Sequence, residues 1–486
     1  MKRIFLIITV LTFVFAGCTD KFEEFNTDKK NPAEVPGEVL FSNAQKELAD
    51  YVNNTNVNIN IFKLMAQYWT ETTYIDEANY DLITRNISTN IYLRAYLRIL
   101  KDLDEASSLI ESSEVIAIEE VAKQNRLQII ELLNVYVYSH LVDVFGAIPY
   151  TEALNIEDVY PSYDMGDDIY ADLFVRLDAA LDNLDASEGS FGAADFYYSG
   201  DVASWIAFGN SLKVRMGITI ADANSTLAQT AIEAAAANVF ASNGDDCLMP
   251  YTSSAPNYNQ LYADLIASGR HDFVPANTIV DVMVPLADPR IPYYFTDMVD
   301  TSTEAGVVKM AWVGGAYGYP NSFSQCSHIG SAIEAADFPG IMMTYSEVCF
   351  YLAEAAERGY SVGGTAEAWY NKGIEASFDF WGVSGAAAYL ANPDVAYTTA
   401  AGTWRQKIGI QSWLANYTRG NEAYTNWRRL DFPILNLPEQ AVTYDDIPVR
   451  FTFPVNEQTL NDVNYEAAST LVGGDLITTK VFWDVN

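Results

Sequence analysis

Between Leu127 and Leu141 the chain is apolar on almost every side of a helix. Ile130, Leu133, Val137 and Leu141 continue one stripe from Leu127, while Ile129, Leu132 and Val135 fill other faces. A helix with no polar face has to be enclosed by other elements. Further stripes run through Trp205, Phe208, Leu212 and Met216, and through Trp369, Gly373, Ala376 and Phe380. The pattern therefore predicts a mainly α body held together by helix-to-helix packing.

The stretch Leu352–Glu357, then Gly359, a Gly363-Gly364 loop and Ala366 onward predicts a helical hairpin. Small residues at its contacts let two helices approach closely. Hairpins of this length resemble tetratricopeptide pairs, although no clean 34-residue period is present. Residues 243–275, 286–340 and 384–402 are rich in Gly, Pro, Ser, Asn and Tyr. Loops this long are uncommon unless they serve a function. The expectation is a helical scaffold carrying an irregular, loop-rich lobe, with long loops at about 243–340 and 384–402.

The N-terminus carries a different message. Met1-Lys2-Arg3 precedes an apolar run from Ile4 to Ala16, and Phe15-Ala16-Gly17-Cys18 turns polar at Thr19. A basic start, a short apolar run and small residues before a cut site make a secretory signal over residues 1–17. A membrane span needs about 20 apolar residues, more than this run supplies. The cysteine resembles that of a bacterial lipobox, with Phe15 where an aliphatic residue is usual, so Cys18 is the expected lipidation site. Residues 18–36, with Asn31-Pro32 and Val35-Pro36, read as a polar tether, and 37–486 as the folded body.

The chain has 28 basic and 64 acidic residues, a net charge of −36. Such a surface repels phosphate backbones, so nucleic acid is excluded as a natural partner. Three cysteines remain beyond Cys18. Cys349 sits in an apolar helical run, and the sequence leaves pairing of Cys247 with Cys326 open. His140, His271 and His328 are isolated, and neither HExxH nor GxSxG occurs. The acidic turns at Asp164, Asp167-Asp168 and Asn243–Asp246 do not match a calcium loop. No metal, cofactor or catalytic residue is expected.

Several segments in order resemble the SusD/RagB family of nutrient-binding outer-membrane lipoproteins of Bacteroidetes. They begin at Asn26-Thr27-Asp28 and Asn31-Pro32, and continue with Asp143-Val144-Phe145-Gly146-Ala147-Ile148-Pro149-Tyr150. Gly200-Asp201, Trp205, Asn210–Arg215, Ser268-Gly269-Arg270 and Asp288-Pro289-Arg290 follow. Then come Glu347-Val348, Ala353-Glu354-Ala355, Gly420–Ala423, Trp427-Arg428-Arg429, Ile447–Arg450 and Gly473-Gly474-Asp475. Ala147 stands where Asp is common, and Ser412 where Lys is usual. The resemblance implies an α-superhelix of tetratricopeptide-like pairs with a looser lobe. It also implies a lipid-anchored protein on the outer face of the outer membrane, a lid on a SusC-like TonB-dependent transporter. In that setting it captures oligosaccharides, or sometimes peptides, and is not an enzyme.

The motif residues themselves read as scaffold. Arg215, Arg270, Arg290, Arg428 and Arg450 are expected to pair with carboxylates or carbonyls. Glu347 and Glu354, seven apart, should join helices. A neutral sugar needs ring faces for its C–H surfaces and polar groups for its hydroxyls. Two segments offer both: Gln67–Tyr80, which leaves a helix, and Trp312–Asn321, expected as a flexible loop. Trp69, Tyr74, Tyr80, Trp312, Tyr317 and Tyr319 are the candidates for stacking. Asp76, Asn79 and Arg85 are the polar candidates. A glycoside hydrolase remains the competing class, since it needs only two carboxylates at a set separation.

Overall fold

The structure, a computed structural model, describes residues 35–114, 116, 119–302, 307–438 and 446–486. The expected signal, Cys18 and the tether up to residue 34 lie outside the described residues. Among those described, no helix is long and apolar enough to cross a membrane.

The body is mainly helical and built from packed helix pairs. α1 (Gly37–Asn53) packs on a continuous rod of α2 (Ile87–Arg94), a π-helical turn (Ala95–Leu100) and α3 (Lys101–Ser112). α4 (Glu120–Phe145) pairs with α5 (Gly166–Asn183), and α6 (Val202–Thr219) with α7 (Ser225–Ala235). α8 (Tyr345–Glu357) pairs with α9 (Ala366–Phe380), and α10 (Trp404–Ala415) with α11 (Gly420–Leu430). The all-round apolar stretch lies within α4, whose second half is buried on nearly every side.

Local chemistry sets the ends of these helices. Asp201, Asn224, Thr344, Thr365 and Thr403 each accept a backbone N–H from the first turn of the helix they precede. Each such cap contributes roughly 1 kcal/mol. α4 stops at Gly146, whose φ of +81° only glycine adopts freely. At Gly373 an added Cβ would stand 2.9 Å from the Phe350 ring. The α8–α9 hairpin therefore closes on a glycine, as the small-residue spacing implies.

Buried ion pairs fasten the pairs to one another. Arg215 of α6 donates to Glu347 of α8 at 2.7 Å and lies 3.1 Å from Glu422 of α11. Arg419 reaches the other Glu347 oxygen, and both guanidinium groups also donate to the Met342 carbonyl. One helical repeat further on, Glu354 accepts from Arg429 at 2.9 and 3.0 Å and from Arg358 at 2.8 Å. Burial alone would raise both carboxyls, but their arginine neighbours outweigh it and hold them below the usual range. Arg290 is sealed against Asp288 at 2.7 Å, Arg428 donates to the Asp143 and Val449 carbonyls, and Arg450 pairs with Asp475. The scaffold role expected of these arginines holds for all but Arg270.

Residues 243–302 and 307–340 are mostly turns, short helices and short strands. Short strands β1 (Trp69–Glu71), β2 (Cys247–Met249), β3 (Phe273–Pro275) and β4 (Gly340–Met343) form two antiparallel pairs, β1 with β3 and β2 with β4. The 384–402 segment is turns around a short helix at Ala386–Leu390. Cys247, Cys326 and Cys349 are all buried free thiols, which closes the question of a Cys247–Cys326 bridge.

Candidate functional site

The β1–β3 pair creates the site by bringing distant segments together. Trp69 faces Pro275, Thr70 faces Val274 and Glu71 faces Phe273. Thr72 extends the pairing, donating its N–H to the Asp272 carbonyl at 2.9 Å and its hydroxyl to the His271 carbonyl at 2.6 Å. The chain leaving β1 and the chain entering β3 thus become two walls of a cleft of about 270 Å³. The third wall is the turn after α1. There Lys63 donates to the Asn53 and Asn54 carbonyls at 3.0 and 2.8 Å, and Asp264 accepts the Thr55 N–H at 3.3 Å. Burial pushes the Lys63 amine down to about 7, with Asp264 opposing that shift.

On the cleft walls, Tyr74 is 57% exposed, and the Arg270 guanidinium sits 5.8 Å from its ring centre. Arg270 donates to Asp272 at 3.0 Å, and its side chain keeps 55% of its surface in water. Asn56, Asn58 and Ser268 add amide and hydroxyl groups. The floor holds two acids. Glu71 accepts the Ala78 N–H at 3.0 Å, and Glu77 pairs with Arg85. Burial, then the adjacent Glu77 charge, pushes the Glu71 carboxyl up to about 9. The second Glu77 oxygen, Oε2, is buried without a hydrogen-bond partner among the described residues. The cleft thus presents a ring, a forked cation, amides and a neutral acid, a set that suits sugar C–H faces and hydroxyls.

Of the sequence candidates, Tyr74 and Arg85 line this cleft. Three others need correction. Trp69, Tyr80 and Tyr317 are buried in the core, so none offers a ring face to a solute. Trp69 donates its indole N–H to the Tyr417 hydroxyl at 2.9 Å, and Tyr317 donates to the Leu64 carbonyl at 2.9 Å. Their apolar surface gains more inside than at a loop. Trp312 is half-buried near Phe295, while Asp76 and Tyr319 are exposed outside the cleft. Asn79 donates to the Ile75 and Gly318 carbonyls at 2.8 and 2.9 Å, stitching the two candidate segments together.

The Trp312–Asn321 segment is pinned, contrary to the expected flexible loop. Gly315 exchanges backbone hydrogen bonds with Pro275 and Asn277, and an added Cβ at Gly314 would meet Asn277 backbone at 2.5 Å. Its glycines serve close approach to β3 and not mobility.

Sequence reasoning missed the walls contributed by Asn56, Asn58, Asp264, Ser268 and Asp272. It also placed Arg270 in the scaffold, where a forked contact to a half-exposed acid shows it at the surface. Beside Arg270, the His271 ring stacks on Phe323 at 4.3 Å, and Phe323 stacks on His328 at 3.8 Å. Two histidines 57 positions apart in the numbering, with no local motif, carry no sequence signal of this arrangement. Among the described residues, no group of three or more acidic, histidine or cysteine side chains could hold a metal ion.

Comparison with known proteins agrees with this architecture. A family described as SusD-like, "Starch-binding associating with outer membrane", matches residues 29–454. Among solved structures, a chitin-binding protein superposes with a TM-score of 0.80 at 26% identity, covering 93% of this chain and all of its own. A chitin-binding SusD homolog from Flavobacterium johnsoniae gives 0.74 at 26% identity, over 92% and 98% of the two chains. A SusD-like protein from Bacteroides thetaiotaomicron gives 0.76 at 24% identity, over 93% and 99%. No curated protein sequence matches. The matched span and the helix-pair architecture together make this chain a member of the SusD-like family, the family described as starch-binding and associating with the outer membrane.

Proposed function

We propose that this protein captures an oligosaccharide at the Tyr74–Arg270 cleft and passes it to a SusC-like TonB-dependent transporter. Lipid on Cys18 would hold it at the cell surface, since two or three acyl chains anchor far more firmly than one. The observation that carries the reading is the cleft itself: an exposed ring beside an exposed guanidinium, in a protein whose other arginines are mostly spent on internal pairing. Sugar rings stack on such a face while Arg270, Asn56 and Asn58 read hydroxyls. Transfer requires modest affinity, because a ligand held too tightly does not leave.

The first ligands to test are chitin-type oligosaccharides, named by two of the similar structures, followed by starch-type oligosaccharides and a peptide digest. Calorimetric titration of the body is expected to show binding to one oligosaccharide class, recovered intact afterwards. Binding to peptides alone would move the cargo from sugar to peptide. Release of shorter products would overturn the binding role in favour of hydrolysis. Against hydrolysis stands the floor pair: Glu71 lies against Glu77, which is itself paired with Arg85, whereas glycoside cleavage holds its two carboxyls roughly 5–10 Å apart around the bond.

A further inference from the structure

The third wall of the cleft is the end of a helix held by a buried amine. α1 finishes without a basic residue in its last turn. Two side chains from the chain that follows satisfy its last carbonyls. Asn60 donates its amide to the Tyr51 and Val52 carbonyls at 3.0 and 3.1 Å. Lys63, only 1% exposed, donates to the Asn53 and Asn54 carbonyls at 3.0 and 2.8 Å. Its charge thereby meets the negative end of the helix dipole.

From there a ladder of asparagines runs into the cleft. The Asn54 side chain accepts the Asn56 N–H at 2.9 Å, and the Asn56 side chain accepts the Asn58 N–H at 3.0 Å. Asn56 and Asn58 line the cleft, so the bonds of Lys63 set the wall's polar groups through Asn54. The amine is the part of this ladder that titrates. Burial brings it down to about 7, and Asp264, on the turn Ala263–Ala267, opposes that shift. The acids on the helices packed nearby are engaged elsewhere: Asp50 of α1 with Lys46 and Tyr251, and Glu422 of α11 with Arg215. The Trp69 ring, its centre 5.7 Å from the Lys63 nitrogen, is uncharged. A charged amine offers the carbonyls three N–H groups and a full positive charge, while a neutral one offers two N–H groups and none.

We propose that Lys63 is a positioning residue for the ligand, holding Asn56 and Asn58 in binding geometry most firmly while its amine is charged. This rests on oligosaccharide capture at the same cleft and adds its regulation by pH. The sign follows from the bonds. The charged amine tightens the wall, so affinity is highest below about pH 7 and falls as pH rises through that value. Linkage makes the effect reciprocal, so binding takes up protons near neutrality.

The test is calorimetric titration of the full-length protein with chitin-type and starch-type oligosaccharides at pH 6, 7 and 8, below the range in which Glu71 gives up its proton. A coupling of about fivefold, the low end for linked sites, makes affinity about threefold higher at pH 6 than at pH 8. Heats compared in buffers of different ionisation enthalpy should show uptake of a fraction of a proton at pH 7. Lys63→Met keeps the length of the side chain and loses its charge. Its affinity is expected to stay at the wild-type pH 8 level throughout, with no proton uptake. Asp264→Asn removes the acid that opposes the shift, so its profile should move to lower pH. That variant and the wild-type proton count decide the matter should Lys63→Met fail to fold. A flat wild-type profile, or a wild-type profile retained in Lys63→Met or Asp264→Asn, would overturn the role of Lys63 and spare the cleft. Binding of no oligosaccharide at any pH would overturn both.

Discussion

Two regions of this molecule use the same chemistry to opposite ends. Between α6, α8 and α11, arginines and glutamates pair where water is absent, and each guanidinium contacts several acceptors. At the cleft, Arg270 pairs with Asp272 in a similar forked contact, with more than half of its side-chain surface in water. A buried pair cannot be broken cheaply, since removing one partner strands the other charge. An exposed pair contributes little to stability and can exchange its partner for a ligand. Burial, not residue type, separates scaffold from site.

The largest effect that could break this contrast is at Glu347. Glu347→Ala leaves Arg215 and Arg419 buried without their shared carboxylate, and is expected to cost about 3–5 kcal/mol in denaturant unfolding. A loss below about 1 kcal/mol, the range of exposed pairs, would erase the distinction between the two regions.

Buried acids differ among themselves, which offers the second test. Glu354, surrounded by Arg429 and Arg358, is ionised. Glu71, buried beside Glu77 without a cation of its own, keeps its proton up to about pH 9. Its folded value is raised above the ordinary 4.5, so the stability from its neutral form is complete below 4.5 and is lost as pH rises through about 9. Glu71→Gln does not titrate. Unfolding measured at pH 5, 7 and 9 should therefore show a shallower decline for the variant than for the parent chain. Equal slopes would place the titration elsewhere.

The helical frame was legible because periodicity reports burial directly. Stripes at Leu127–Leu141 and Trp205–Met216, the Gly359–Gly364 break and the seven-residue Glu347–Glu354 spacing all translate into elements and contacts. The site was legible only in part. Tyr74 and Tyr80 stand in one short segment with similar neighbours, yet one ring faces water and the other the core. That difference is fixed by backbone direction, including the positive φ of +68° at Tyr80, and by β3 arriving from some 200 residues away. Arg270 was misplaced for the same reason: local sequence gives a side chain's chemistry, while its exposure depends on segments that only folding brings alongside.

Arg270→Ala should sharpen the comparison from the cleft side. Oligosaccharide affinity is expected to fall about tenfold, as for a lost charged hydrogen bond of roughly 1.5 kcal/mol. Unfolding should be unchanged, since the Asp272 left behind is hydrated. Arg270→Lys should recover only part of the affinity, because an ammonium cannot reproduce the planar fork.

The smallest effect belongs to Tyr74 and isolates the ring from its hydroxyl. A sugar face stacked on an exposed aromatic ring is expected to gain about 1 kcal/mol, so Tyr74→Ala should weaken binding several-fold and leave unfolding unchanged. Tyr74→Phe keeps the face and should bind nearly as the parent does. Tyr80→Phe is the matched control, since that ring is enclosed, and it should leave affinity untouched. If Tyr74→Ala binds as the parent and Tyr80→Phe does not, the loop must turn its inner ring outward to meet the sugar. Exposure in the free protein would then be the wrong guide to which rings a ligand touches.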